Sequence, residues 1–196
     1  GFIDVRMQGD QRRLFNSAAL LADGAVQEVI DKSLLPTYDV FDERRYFTPA
    51  TSRRVLDFRG IKLGVSICED AWNDPTFWTD RHYDEDPIQE LADQGAQLFI
   101  NLSASPFSLG KRELRLKMFQ AQAQKHRRPL IIVNQVGAHD DLIFDGGSLA
   151  FDPSGELAAK CREFESDLLV VEVDPESGHI SGTIREHAGF DRQGEN

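Results

Sequence analysis

This 196-residue chain is defined first by what it has little of. It carries two cysteines, Cys68 and Cys161, too few for a disulfide framework. A reducing, cytoplasmic setting is the simplest reading. No apolar run approaches the roughly 20 residues of a membrane span, so no membrane partner is expected. Basic charge is scarce: 22 Lys and Arg stand against 33 Asp and Glu, a net charge of −11. Nucleic-acid affinity rests on clustered Lys and Arg, so a nucleic-acid partner is not expected either. No Walker loop or dinucleotide fingerprint occurs, and Gly146-Gly147 lacks the spacing of both. Residues 1–10 lack the basic start, apolar centre and small-residue cleavage site of a secretory leader. An initiator Met is also missing: the chain opens in a strand-like stretch, "GFIDVRM". Natural domains seldom begin in mid-strand, so the expectation is a fragment.

What is present fits a soluble globular domain with a sizeable core: 40% of residues are hydrophobic and 28% charged. "RLFNSAALLADGAVQEVIDK" reads as two strands turning at Asp23-Gly24, and "RRVLDFRGIKLGVSIC" as a hairpin turning at Arg59-Gly60. Between them, "LLPTYDVFDERRYFTPA" reads as a loop rich in aromatics and charges. "PIQELADQGAQLFINLS" predicts a short helix, a stop at Gly95 and a strand over 97–102. "GKRELRLKMFQAQAQKHRRP" predicts a longer helix with Leu114, Met118 and Ala121 on one face. "LIIVNQV" reads as a buried strand, the stretch around 152–155 as a hairpin, and "DLLVVEVD" as the last strand. Residues 175–196 read as a polar tail or linker. Strands alternating with helices, plus hairpins, indicate an α/β fold with sheets of mixed direction. "FINLS" and "IIVNQV" are apolar on both faces, so layers on both sides must cover them.

One stretch, "KLGVSICEDAWN", raises a chemical question. Free Cys is among the most buried residue types, and Cys68 could be a small core side chain. Three features favour a site. Cys68 ends a strand, where open α/β sheets place ligands. It precedes Glu69 and Asp70, which no apolar core accepts unpaired. Trp72 offers a flat wall. A nucleophilic thiol also needs a cation or base nearby. Lys32 sits between Ile30 and Leu34-Leu35, so its ammonium can be partly desolvated; there it would favour a thiolate and stabilise an oxyanion. A solvated surface position is the alternative. Glu43, flanked by Arg44 and Arg45, could simply pair with them. In "NLSASPFSLGKRELR", small residues let backbone approach a ligand, and Ser105, Lys111 and the helix start could hold a carboxylate; a plain strand–loop–helix junction is the alternative. His139, in "VGAHDD", reads as a solvated turn rather than a metal ligand, because one His with two Asp is a poor ligand set.

Taken together, "DKSLLPTYDVFDERRYF", "KLGVSICEDAWN", "INLSASPFSLGKREL" and "VNQVGAHDDLIFDGGSLAFDPSGEL" resemble the glutaminase domain of glutamine-dependent NAD synthetases, a branch of the nitrilase (carbon–nitrogen hydrolase) superfamily. The likeness runs over 1–174, leaving 175–196 as the link toward a synthetase domain. It implies a nitrilase-like αββα sandwich, incomplete at the N-terminus, and a Glu–Lys–Cys triad. Cys68 matches the nucleophile, Lys32 the triad lysine and Glu43 an accessory carboxylate. Tyr38, Glu69, Trp72, Ser105 and Lys111 fall where the family shapes its glutamine pocket. The general-base Glu has no match: Glu28 lies in the wrong segment, and the family places that residue upstream of "GF". Its loss would remove a factor of roughly 10²–10⁴, so weak or absent activity is an expected outcome for this chain alone. The resemblance implies glutamine as substrate, a synthetase domain and further copies of the chain in a homo-oligomer as partners, and no cofactor or metal for the glutaminase part. ATP and Mg would serve the synthetase domain. Three alternatives stay open: an amidase of the same superfamily acting on another amide, a non-catalytic interaction domain with the same fold, and a nucleotide-binding module.

Overall fold

The computed structural model of the chain describes residues 1–80 and 82–186. Three strands, β1 (Phe2–Gln8), β2 (Gln11–Ala22) and β3 (Ala25–Asp31), form an antiparallel sheet in that order. Its second turn is Asp23-Gly24, with φ of 53° and 73°. Two successive positive φ values are what a tight hairpin compatible with strand twist requires. Arg59-Gly60, with φ of 54° and 82°, makes the same turn between β4 (Leu56–Phe58) and β5 (Ile61–Ile67). The aromatic loop after β3 contains one helical turn, α1 (Glu43–Tyr46), which the sequence did not signal.

The centre is a six-stranded mixed sheet. Beyond β4 and β5 it contains β6 (Leu98–Ser103), β7 (Leu130–Asn134), β10 (Leu149–Phe151) and β11 (Leu157–Lys160). The order is β11-β10-β7-β6-β5-β4, with β5, β6 and β7 parallel. Two helices make the crossovers: α2 (Pro87–Asp93) and α3 (Lys111–His126). Asp86 caps α2, accepting the Gln89 N–H at 3.1 Å, and Pro87 fits its first turn. The main core lies between these helices and one face of the sheet, around Phe99, Met118, Phe119, Leu130, Ile132 and Phe151. Gly64 permits this packing, because a Cβ there would lie 2.7 Å from the Phe99 ring.

The buried face of α3 is Arg115, Met118, Phe119, Gln122 and Ala123, and Leu114 and Ala121 are only half-buried. Hydrophobicity misplaces this face because two of its buried side chains are polar. Gln122 donates to the Ala71 carbonyl at 3.2 Å, and Arg115 pairs with Asp145 at 2.9 Å, which makes their burial tolerable.

Two further hairpins complete the described residues: β8 (Val136–His139) with β9 (Leu142–Asp145), and β12 (Leu168–Val173) with β13 (Ile180–Glu186). The strand read as last is therefore followed by another, and 180–186 form part of a hairpin rather than a free tail. Residues 187–196 lie outside the described residues. His139 sits at the β8–β9 turn with its side chain 80% exposed. Of the αββα arrangement implied by the resemblance, the described residues form one helical layer on one large mixed sheet. Ile131, Leu169, Val171 and Val173 cover the other face at one end, while Val133 remains 48% exposed. The expectation that both faces are covered throughout is thus met only in part.

Candidate active site

The parallel strands β5, β6 and β7 end on the same side, and their carboxyl ends bring three chain segments together. Cys68 follows β5 and opens a 3₁₀ turn, Cys68–Ala71. Its φ is +47°, in the left-handed region that costs a non-glycine residue about 1–2 kcal/mol. Such strain persists where the surroundings over-determine the backbone, and here they do. Asn101 of β6 donates to the Cys68 carbonyl at 3.3 Å and to Ser66 Oγ at 2.9 Å. Ser103 Oγ in turn donates to Asn101 Oδ1 at 2.5 Å. The Ala104 N–H, on the loop after β6, donates to the Cys68 thiol.

Lys32 leaves the end of β3 with its backbone fixed on both sides. Its N–H donates to the Asn16 carbonyl at 2.8 Å, and its carbonyl accepts from the Ala50 N–H at 2.9 Å. Its side chain is 1% exposed, so the solvated-surface alternative for this lysine falls. Its ammonium donates to Glu43 Oε1 at 2.5 Å, and Asn16 Nδ2 donates to Glu43 Oε2 at 3.4 Å. Glu43 therefore pairs with Lys32 and not with its neighbours Arg44 or Arg45. A cleft of about 420 Å³ contains Lys32, Glu43, Asn16 and Cys68 on its wall.

Cys68 also lines a second cavity, of about 220 Å³, on its other side. All five residues expected to shape a substrate pocket line it: Tyr38, Glu69, Trp72, Ser105 and Lys111. The Tyr38 hydroxyl donates to Glu69 Oε1. Lys111 Nζ lies 5.7 Å from the Trp72 ring centroid, within the range of a cation–π contact. The Ser105 N–H donates to Asn134 Oδ1 at 3.1 Å, and Asn134 Nδ2 donates to the Gly146 carbonyl at 2.8 Å. The buried Arg115–Asp145 pair backs this loop.

Burial dominates the electrostatics. It pushes the Cys68 thiol up; the Lys32 ammonium and the Ala104 N–H pull it back, and Glu69 and Glu43 oppose them. The net shift is upward, so these residues do not by themselves hold a resting thiolate. Burial also pushes Glu69 up, against the Tyr38 hydroxyl and Lys32. It pulls Lys111 down, against Cys68 and Glu69. Tyr38 is pushed up by burial and by its bond to Glu69.

Sequence reasoning did not single out Asp39, Phe41, Asn73, Trp78, Asp80 and His82, which line the same cavity. His82 stacks on Tyr38, with centroids 4.6 Å apart. These residues come from loops whose contacts carry no periodic signal. Asn101 and Asn134 did leave one, as polar residues inside otherwise apolar strands. Among the described residues, no set of three or more His, Cys, Asp or Glu side chains is placed to hold a metal ion.

The carbon–nitrogen hydrolase family model matches residues 1–179. The chain is 46% identical over 172 residues to a glutamine-dependent NAD(+) synthetase of Synechocystis sp., covering 88% of the chain and 31% of that protein. It is 38% identical over 178 residues to the enzyme of the same name from Thermotoga maritima, covering 89% and 28%. The chain thus spans about a third or less of the length of these relatives. Among solved structures, glutamine-dependent NAD+ synthetase from Acinetobacter baumannii superimposes with a TM-score of 0.79 at 34% identity, covering 91% of this chain and 32% of that one. A carbon–nitrogen hydrolase from Helicobacter pylori gives 0.67 at 27% identity, covering 79% and 55%. The match in architecture supports a nitrilase-superfamily fold.

Proposed function

The chain belongs to the carbon–nitrogen hydrolase family, and from that premise we propose that it is the glutaminase part of a glutamine-dependent NAD synthetase. In this reading it hydrolyses the side-chain amide of glutamine through a thioester on Cys68. One observation carries the proposal: Cys68 lies between the cleft that holds Lys32 and Glu43 and the cavity that holds Glu69, Trp72 and Lys111.

The cavity suits an amino-acid amide. Glu69 and Lys111 offer opposite charges to the two charged ends of a zwitterion, and Trp72 packs against its methylene chain. This places the amide carbon at the thiol. A thiol with a raised pKa needs a general base, and the family's base carboxylate would take the Cys68 proton as the sulfur attacks. The family's base has no match in this chain, and Glu43 is held by Lys32 in a supporting role. The new C–S bond leaves a tetrahedral oxyanion, stabilised by the Lys32 ammonium and the Glu69 N–H. The intermediate collapses, the proton returns to the leaving nitrogen, and ammonia departs. Water then attacks the thioester, giving glutamate and the free thiol.

In the whole protein the ammonia would pass to a synthetase domain that amidates adenylated nicotinic acid adenine dinucleotide. ATP and Mg would act there. This chain has no phosphate loop, and no step here involves them.

Ammonia release measured over a panel of amides tests the assignment. Release, slow without the family's base, should favour glutamine over asparagine and acetamide and fall to background in Cys68→Ala. Where steady release is too slow, single-turnover formation of the Cys68 thioester is the readout. Equal release by Cys68→Ala would exclude the nucleophile, and a preference for acetamide would reassign the chain to another amidase.

A further inference from the structure

The lysine and the thiol stand on different sheets. Lys32 follows β3 of the three-stranded sheet, and Cys68 follows β5 of the six-stranded one. Among the described residues no ladder of hydrogen bonds sets one against the other, so something else must fix their separation.

Asp70 spans the gap. It is 4% exposed. Its Oδ1 accepts the N–H groups of Ser33 and Leu34, at 3.0 and 2.8 Å, and its Oδ2 accepts the Ile67 N–H at 3.1 Å. Ser33 and Leu34 directly follow Lys32, and Ile67 directly precedes Cys68. The segment after Lys32 is buried without strand pairing, and its N–H groups need acceptors there. Only an acceptor-only group with two oxygens can take three N–H donors arriving from two directions. Among the described residues no cation lies within ion-pair distance of this carboxylate. Burying an unpaired charge is costly, so its presence calls for a function.

We infer that Asp70 is a positioning residue that ties the backbone after Lys32 to the backbone before Cys68 and so holds the ammonium beside the thiol. The role rests on the glutaminase reading, since it concerns the geometry of that reaction. Asp70 lines neither of the two cavities that Cys68 borders; it acts through the two residues it clamps. Asp70→Asn keeps the shape but turns one oxygen into an NH₂ group, so one of the three N–H donors loses its acceptor.

The test uses the chain and a γ-chloroketone analogue of glutamine, which alkylates a thiol in the pocket with loss of chloride. The saturating inactivation rate and the half-saturating concentration are measured separately, with peptide mapping to identify the labelled cysteine. Asp70→Asn should lower the saturating rate about 10- to 100-fold, as expected for a small displacement of reacting groups. The half-saturating concentration should stay within about threefold. Ile88→Val, a core change in the α2 layer, serves as a control for lost stability and should leave both values unchanged. An unchanged saturating rate in Asp70→Asn overturns the clamp, as does an equal fall in the control. Absence of labelling at Cys68 in the unmutated chain would instead overturn the glutaminase reading. If Asp70→Asn does not fold, amide hydrogen exchange of the unmutated chain decides. The Ser33, Leu34 and Ile67 amides should be protected together, and exchange as fast as an exposed loop would overturn the proposal.

Discussion

Lys32→Met removes the ammonium while keeping a side chain of similar length. Its effect on stability follows from the pair it breaks. Lys32 is 1% exposed and Glu43 18% exposed, with 2.5 Å between Nζ and Oε1. Removing one member of a buried pair costs about 3–5 kcal/mol, because the remaining charge is left uncompensated. Here the lower end applies. Glu43 borders the cleft, keeps some contact with solvent and retains Asn16 as a weak donor at 3.4 Å. A cost of about 3 kcal/mol corresponds to a fall in Tm of roughly 6–12 °C for a chain of this size. Urea denaturation of Lys32→Met, Glu43→Gln and the double variant measures it as a double-mutant cycle. The double variant leaves no buried charge behind and should lie closer to the unmutated chain than Lys32→Met does. Strict additivity of the two single costs would refute the pair as a buried, coupled unit. In glutamine hydrolysis the same substitution should lower kcat about 10²–10³-fold, the usual cost of losing an oxyanion donor.

Two further outcomes follow from the same structure. Burial pushes Asp70 up to about 6 from an ordinary value near 3.8, against its three backbone donors and the Lys32 ammonium. A folded-state pKa above the unfolded one means stability that is present at low pH and lost as pH rises through about 6. The neighbouring groups Lys32, Glu69, Glu43 and Tyr83 remain in Asp70→Asn, so the difference between the two proteins isolates Asp70. The unmutated chain should gain about 2 kcal/mol relative to Asp70→Asn between pH 7 and pH 4; a flat difference in urea midpoints would contradict this. Gly64→Ala should cost about 1–3 kcal/mol by overpacking, because its Cβ would meet Phe99 at 2.7 Å and Ala96 at 3.0 Å. A thermal midpoint equal to that of the unmutated chain would show that Phe99 has room to move.

Much of the local structure was legible because short-range chemistry determines it. Asp23-Gly24 and Arg59-Gly60 turn where the dipeptides indicate, α2 begins at Pro87, where its run starts, and the apolar strand stops just before Cys68. The motifs also named six residues that share one cavity: Cys68, Tyr38, Glu69, Trp72, Ser105 and Lys111. What stayed hidden depends on long-range pairing. The β8–β9 hairpin surrounds a polar turn that reads as loop. β13 pairs with β12 across a segment too polar to announce a strand. The buried face of α3 was displaced because the Arg115 NH groups pair with Asp145 and Gln122 donates to the Ala71 carbonyl, partners far away in sequence. Asp70 was visible as half of an acidic pair, but its three donors come from two segments that only the fold brings together.

The central claim is that Cys68 attacks the amide of a bound glutamine. Mapping the covalent attachment of the γ-chloroketone analogue, with and without competing amino acids, tests it most directly. The account predicts modification at Cys68 but not at Cys161, with protection by glutamine and little protection by asparagine. Equal labelling of both cysteines, or labelling of Cys68 that glutamine does not slow, would contradict it.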